Sequence, residues 1–394
     1  MRTREVMIIG AGKIGRGYLA DNFDDQGFHL VFVNGRPDTI DALNKAGKYT
    51  IFTTENGEVS RKVVSGFEAY SSKRDFDKVV ERLSQIDLAC VALYPNAYES
   101  VADVIAGATK KRMADGVEEP LNICMFVNFV FTGRLMKEKV AQRLNDAEKE
   151  YFKTHIGIID SLTKRNGSQP TEEMLAEDPL CISTGPGKIL AVGDEFVGEK
   201  PTDITNMQFV DKAEGRLVLK VWCGNVQHCT QANIGQFKGY DYIYEACADP
   251  YIQKICGGIA KEACAVVQKM YDFSDEDMAP SLNRNYAETI ANKIPDFVTR
   301  VAADPLRKLS RNERYIGPAC ECFKMGIVPY YLARGAAYEL IFHNEKDASA
   351  VKMHQMIDEL GVEEALWQIS GLNKDIPHEN ALHQLIIKQY EEIL

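Results

Sequence analysis

No run of apolar residues in this chain approaches the ~20 that a membrane-spanning helix needs, so no membrane partner is expected. Basic residues are also short: 46 Lys and Arg against 57 Asp and Glu leave a formal net charge of −11. A nucleic-acid binder needs a basic footprint to neutralise phosphates, so that class of partner is not expected either. The ten cysteines are irregularly scattered and contain no C-x-x-C pair. That excludes a small secreted disulfide framework and offers no zinc signature, so no metal is expected. Before the first glycine the chain has only the short apolar stretch Val6 to Ile9, too little for a signal-peptide core. A cytoplasmic location with reduced thiols is the simplest expectation.

What is present is the composition of an ordinary folded protein, 45% hydrophobic and 26% charged over 394 residues. At roughly 150 residues per domain, the length suggests two or three domains. The acidic total does not exclude an anionic small substrate, because a pocket can be basic while the whole is not.

The first half alternates strand-like and helix-like segments. Residues 5–10 (EVMIIG) and 29–34 (HLVFVN) read as short apolar strands, with helical spacing over 14–24 and 38–45. Residues 49–54 and 59–65 flank Glu55-Asn56-Gly57, a hairpin signal. Residues 87–94 and 121–128 are near-continuous apolar strands, as expected when both faces of a sheet are covered. Helices are expected over 98–111 and 135–150. After a Gly-, Pro- and Thr-rich stretch at 168–203, with brief strands at 182 and 189–192, helical periodicity takes over at 242–271, 278–294, 320–343 and 348–369. The fold class is therefore α/β. A doubly wound Rossmann-type domain over residues 1–205 is followed by a mostly α-helical, substrate-binding domain over 206–394.

Gly10-Ala11-Gly12-Lys13-Ile14-Gly15 matches G-x-G-x-x-G in the context that gives the motif meaning, between a strand and a helix. Gly10 permits the tight turn and Gly12 lets backbone N–H groups approach a pyrophosphate. Gly15 lets the helix pack on the strand. The helix N-terminus then favours phosphate, so NAD or NADP is the expected cofactor. An acid at the end of the second strand would hydrogen-bond the ribose hydroxyl of NAD. This chain has Asn34, and Arg36 could pair with a 2′-phosphate, which favours NADP or mixed use. The bland alternative keeps Asn34 on the hydroxyl and leaves Arg36 in solvent.

The second constellation is Lys220-Val-Trp-Cys-Gly-Asn225-Val-Gln-His228. On an α-helix, at about 100° per residue, Asn225 lies about 140° from Lys220, with His228 between them at about 80°. A lysine can serve as general base when its surroundings depress its pKa. Asparagine donors can stabilise a developing alkoxide, and a histidine can fix substrate hydroxyls. A solvated helix face could also carry all three residues.

The spacing K-x-x-x-x-N-x-x-H resembles the signature of the polyol-specific long-chain dehydrogenases, the mannitol dehydrogenase family. Residues 10–17 (GAGKIGRG), 156–161 (IGIIDS), 300–318 (RVAADPLRKLSRNERYIGP) and 368–372 (QISGL) extend the likeness along the chain. The resemblance implies a metal-independent, NAD(P)-linked interconversion of a sugar alcohol, such as mannitol 1-phosphate or a related polyol, and its ketose. It implies Lys220 as the general acid/base, Asn225 with Asn128 on the reacting oxygen, and His228 orienting substrate. Asn128 closes the apolar run 121–128, on the sheet edge where ligands bind in such folds.

The chain departs from the family at three places. Asn34 replaces an acid, and Val127 precedes Asn128 where the family has an acid. Lys164 stands where the family has an aspartate, beside the retained Arg165. The charge reversal at Lys164 favours an acidic substrate, a phosphate or a sugar acid. Arg300, Arg307 and Lys308 could clamp such a group, or could pair internally with Asp296, Asp304 or Glu313. Expected substrate contacts are therefore Lys164, Arg165, Arg307 and Lys308. The alternatives are a keto-uronate oxidoreductase of the same family, or a dinucleotide-binding sensor that has lost catalysis.

Overall fold

The computed structural model describes residues 4–55, 57–165 and 167–394. The chain divides into two compact units, Met1–Glu214 and Gly215–Leu394.

The strands of the first unit are β1 (Glu5–Ile9), β2 (His29–Asn34), β3 (Lys48–Glu55), β4 (Glu58–Ser65), β5 (Glu68–Ser71) and β6 (Leu88–Val91). They continue with β7 (Leu121–Met125), β8 (Ile156–Leu162), β9 (Gly167–Ser168), β10 (Ile182–Thr184), β11 (Leu190–Gly193) and β12 (Met207–Val210). Eight of them form one sheet in the order β12-β11-β8-β7-β6-β1-β2-β5. From β5 to β8 every neighbouring pair is parallel, while β11 meets β8 antiparallel. The alternation of side chains explains why β1 and β2 are continuous apolar runs. Val6, Ile8, Leu30 and Phe32 enter one core, and Met7, Ile9, Val31 and Val33 enter the core on the opposite face. Tyr18, Leu19 and Phe23 cover the first face; Val79, Leu83, Val101 and Ile105 cover the second. The sheet is thus doubly wound, and its order reverses at β1, with β2 on one side and β6 on the other. Ligands of such sheets bind outside the carboxyl ends at this switch point.

The hairpin β3–β4 pairs antiparallel from Lys48↔Ser65 to Glu55↔Glu58 and joins β10 and β9 in a second, four-stranded sheet. Asn56 of the anticipated turn lies outside the described residues.

Two local expectations change. The helix read over 135–150 is two helices, Thr132–Ala141 and Asp146–His155. Asn145 starts the second with a capping box: its Oδ1 accepts the Glu148 N–H (2.9 Å) and Glu148 Oε2 accepts the Asn145 N–H (2.8 Å). The run at 121–128 ends as a strand at Met125, so Asn128 sits in the bend that follows, exposed at the carboxyl edge of the sheet.

The second unit is helical, and each long periodic stretch is broken once. Asp249 caps the helix Pro250–Tyr271, accepting the Tyr251 N–H at 2.8 Å, and so separates it from Ile243–Ala248. Gly326 (φ 75°) and Gly361 (φ 79°) take positive φ where Ile316–Lys324 and Ala348–Leu360 end. Pro250–Tyr271 packs against Val226–Phe237, Ile316–Lys324 and Tyr330–Ile341, and forms the centre of this core.

Candidate active site

The glycine turn leaves the carboxyl end of β1. Gly10 adopts φ 114° and donates its N–H to Val33 O at 2.8 Å, tying the turn to the end of β2. A Cβ at Gly15 would lie 1.9 Å from Gly10 O, so this approach of helix to strand requires glycine. Nothing lies within 4 Å of a Cβ built on Gly12. The first i→i−4 bond of the helix is Arg16 N–H to Gly12 O (2.9 Å), so the N–H groups of Lys13, Ile14 and Gly15 precede any intrahelical bond. Ala11 is buried beneath the turn, while Lys13 and Ile14 are half-buried. Open space above Gly12 beside unbonded helical N–H groups fits a dinucleotide pyrophosphate. The helix then widens into a π-helical stretch, Gly15–Leu19, closed by the Ala20 N–H on Gly15 O.

At the end of β2, half-buried Asn34 accepts the Arg36 N–H through Oδ1 at 3.3 Å, and the Arg36 side chain is exposed. Further along the carboxyl edge, Asp160 of β8 anchors the segment after Asn128. Its Oδ1 accepts the Thr132 hydroxyl (2.5 Å) and the Gly133 N–H (2.8 Å) at the start of Thr132–Ala141. Burial pushes the Asp160 carboxyl above its ordinary range, against the pull of those two donors.

Lys164 and Arg165 separate sharply. Lys164 is exposed, whereas Arg165 is only 3% exposed. Arg165 Nη1 donates to Asp21 Oδ2 (2.6 Å), Nη2 to Thr53 Oγ1 (3.0 Å) and Nε to Gly185 O (2.6 Å). The expected substrate contact is therefore a buried strut between the first helix and the second sheet. Its guanidinium faces internal acceptors because Asp21, also buried, needs a cation.

In the second unit, Lys220 and Asn225 lie on a π-helical segment, Leu219–Asn225, which leads into Val226–Phe237. The 140° separation expected of an α-helix does not apply. The Val226 N–H bonds to Val221 O, five residues back, so residues five apart, such as Lys220 and Asn225, come nearer to one face. Trp222 holds this widened turn. It is 1% exposed, its indole N–H donates to Asn312 O at 3.0 Å, and a Cβ at Gly317 would lie 2.6 Å from its ring. Lys220, Asn225 and His228 are all half-buried.

His228 Nε2 lies 3.9 Å from Asp296 Oδ2. Burial, then the nearby Arg284 cation, lower its pKa to about 4 against the pull of Asp296, so the imidazole is neutral at pH 7. Asn233 Nδ2 (2.6 Å) and the Cys229 thiol (2.9 Å) donate to Oε2 of fully buried Glu339. Both donors sit on the helix that carries His228.

The basic cluster is largely paired. Arg300 grips Asp296 with Nε (2.6 Å) and Nη2 (2.8 Å). Arg307 bonds Asp304 (2.6 Å) and Glu313 (2.9 Å), so internal pairing replaces the clamp expected of it. Lys308 is 2% exposed and donates from Nζ to Val301 O at 2.6 Å, with Glu339 Oε1 at 3.9 Å. Sequence reasoning missed Arg284, Glu339 and the anchoring role of Asp160. Glu339 had a signal, a lone acid in the apolar run AAYELIF, which implies a buried partner. Arg284 had none, since it lies between helical stretches.

All ten cysteines are free and buried. Among the described residues no group of three or more His, Cys, Asp or Glu is placed to hold a metal ion, and no helix is long and apolar enough to cross a membrane.

The sequence matches the mannitol dehydrogenase Rossmann domain over residues 4–200 and the mannitol dehydrogenase C-terminal domain over residues 217–394. Among solved structures it is similar to Pseudomonas fluorescens mannitol 2-dehydrogenase in a ternary complex with NAD and D-mannitol. The TM-score is 0.73 at 15% identity, over 100% of this chain and 92% of that one. It is also similar to D-sorbitol dehydrogenase in substrate-free form, with TM-score 0.67 at 13% identity over 98% of this chain and 92% of that one. At such identities the structural likeness speaks for the fold. The domain matches cover both units in order, with the glycine turn in one and the Lys–Asn–His segment in the other, and they make the chain a member of the mannitol dehydrogenase family.

Proposed function

We propose that this protein is a metal-independent, NAD(P)-dependent polyol dehydrogenase that interconverts a sugar alcohol, mannitol 1-phosphate or a close relative, and its ketose. The observation that carries the reading is the pairing of Lys220 and Asn225 on one π-helical turn with a neutral His228 one turn on. Gly10, Gly12 and Gly15 would hold the dinucleotide, whose nicotinamide supplies the two-electron hydride acceptor and donor. Lys220 takes the hydroxyl proton on oxidation and returns it to the carbonyl oxygen on reduction. Asn225 donates its amide N–H to the reacting oxygen as charge develops there, and Asn128 is assigned a second such donor. His228, neutral, can donate one hydrogen bond and accept another from neighbouring substrate hydroxyls. Uncharged Asn34 at the end of β2, where an acid would select NAD, supports use of NADP alongside NAD.

Exposed Lys164, in place of the family's acid, favours a second reading, reduction of a keto-uronate. Kinetics with fructose 6-phosphate, fructose and tagaturonate, each with NADH and NADPH, separate the two. In the same assay Lys220→Ala should abolish turnover while leaving NAD(P)H binding close to wild type; retained turnover would remove Lys220 as the base.

A further inference from the structure

The second unit contains seven arginines. Arg216, Arg300, Arg307, Arg311, Arg314 and Arg334 each pair with a carboxylate, on Asp277, Asp296, Asp304, Glu379, Glu313 and Glu392 respectively. Arg284 does not; among the described residues no carboxylate lies within ion-pairing distance of it. It sits in the link between the helices Asp275–Leu282 and Ala287–Asn292, with its side chain exposed. Two contacts fix its place. Nη1 donates to Gly224 O at 3.0 Å, and the guanidinium lies over the Tyr286 ring, 5.6 Å from its centroid. Gly224 belongs to the π-helical turn between Lys220 and Asn225, so this cation is fastened to the backbone of the proposed catalytic segment.

A guanidinium carries five N–H donors in a rigid fork, and here one of them is engaged. Tyr286 in turn donates its hydroxyl to Gln227 Oε1 at 3.1 Å, which holds the aromatic platform under the guanidinium to the same helix. The arrangement is a held, exposed fork on the turn that carries Lys220 and Asn225, and among the described residues its other donors meet no carboxylate. Such a fork matches the two oxygens of a phosphoryl or carboxylate group.

We propose that Arg284 is a specificity-determining residue that binds the anionic end of the substrate, a phosphoryl or carboxylate group, while Lys220 and Asn225 act on the alcohol carbon. This deepens the function proposed above and rests on it. It also gives the anionic group a different partner from Arg165 and Arg307, which are held by internal carboxylates.

The test compares wild type, Arg284→Gln and Arg284→Lys by isothermal titration calorimetry on enzyme loaded with oxidised cofactor, which cannot reduce a ketose, and by steady-state kinetics with NADH and NADPH. The probes are fructose 6-phosphate, tagaturonate and neutral fructose. Wild type should bind one anionic probe more tightly than fructose, which identifies whether phosphate or carboxylate is the natural group. Arg284→Gln should weaken that probe about tenfold to a hundredfold more than it weakens fructose. Arg284→Lys should recover part of the loss. Equal effects of Arg284→Gln on fructose and the anionic probes would mean that Arg284 only props the π-helical turn, and would overturn the proposal. So would a wild type that binds neither anionic probe better than fructose. Selective binding without turnover of any probe would contradict the dehydrogenase reading and leave the anion site standing.

Discussion

Arg165→Met separates a structural from a substrate-binding arginine most sharply. The substitution keeps a long apolar side chain but removes three hydrogen bonds, to Asp21, Thr53 and Gly185. Asp21 is left as a buried carboxylate, its side chain 5% exposed, with Lys62 Nζ still at 3.1 Å and Lys188 Nζ at 3.7 Å. Removing one partner of a buried pair costs about 3–5 kcal/mol, and the two remaining lysines argue for the lower end, about 3 kcal/mol. The loss falls on the first unit. Both tryptophans, Trp222 and Trp367, lie in the second, so intrinsic fluorescence would miss it. Hydrogen exchange read on β1 and β10 is the appropriate assay. Their protection should fall by roughly a hundredfold, the equivalent of about 3 kcal/mol, while KM for the preferred substrate stays within a few-fold of wild type. Unchanged protection together with a KM raised a hundredfold would refute the reasoning and restore Arg165 as a substrate contact.

Two further outcomes follow from the site's geometry. Gly15→Ala places a Cβ 1.9 Å from Gly10 O, which the turn can relieve only by opening; NADH affinity measured by fluorescence titration should fall more than tenfold. An affinity within twofold of wild type would contradict the packing. His228 should titrate near pH 4 by NMR rather than near its free value of about 6.5. Because the folded pKa is the lower one, the neutral ring's contribution to stability is complete above about pH 6.5 and is lost as pH falls towards 4. A midpoint between 6 and 7 would show that burial and Arg284 do not act as described.

What could be read from the sequence depended on how far apart the interacting residues lie. The glycine turn, β1 and β2 are contiguous, and their apolar runs report that both faces of the sheet are covered, so the doubly wound α/β class was legible. The Lys–Asn–His segment was legible as a motif but not in its winding. A π-helical turn is stabilised by tertiary contacts such as Trp222 on Asn312, ninety residues away, and leaves no periodic trace. Helix breaks were hidden where the apolar spacing ran through them, although Asn145-x-x-Glu148 was a readable cap. The charged residues were the least legible. Arg165 meets Asp21 across 144 positions and Arg284 meets Gly224 across 60, and composition alone cannot say which cation has a carboxylate waiting. The basic cluster at 300–308 illustrates the consequence. Three cations within nine residues look like an anion clamp, yet Arg300 and Arg307 are satisfied within three to six residues of chain.

In the proposed function, Lys220 transfers the proton while a nicotinamide cofactor and a sugar alcohol or ketose exchange hydride. The most direct measurement is absorbance at the reduced-nicotinamide band with fructose 6-phosphate, fructose and tagaturonate, comparing wild type with Lys220→Ala. Wild type should oxidise NADH or NADPH with at least one of the three, and Lys220→Ala should bind the reduced cofactor without oxidising it. A wild type silent with all three, or a Lys220→Ala enzyme that still turns over, would contradict the account.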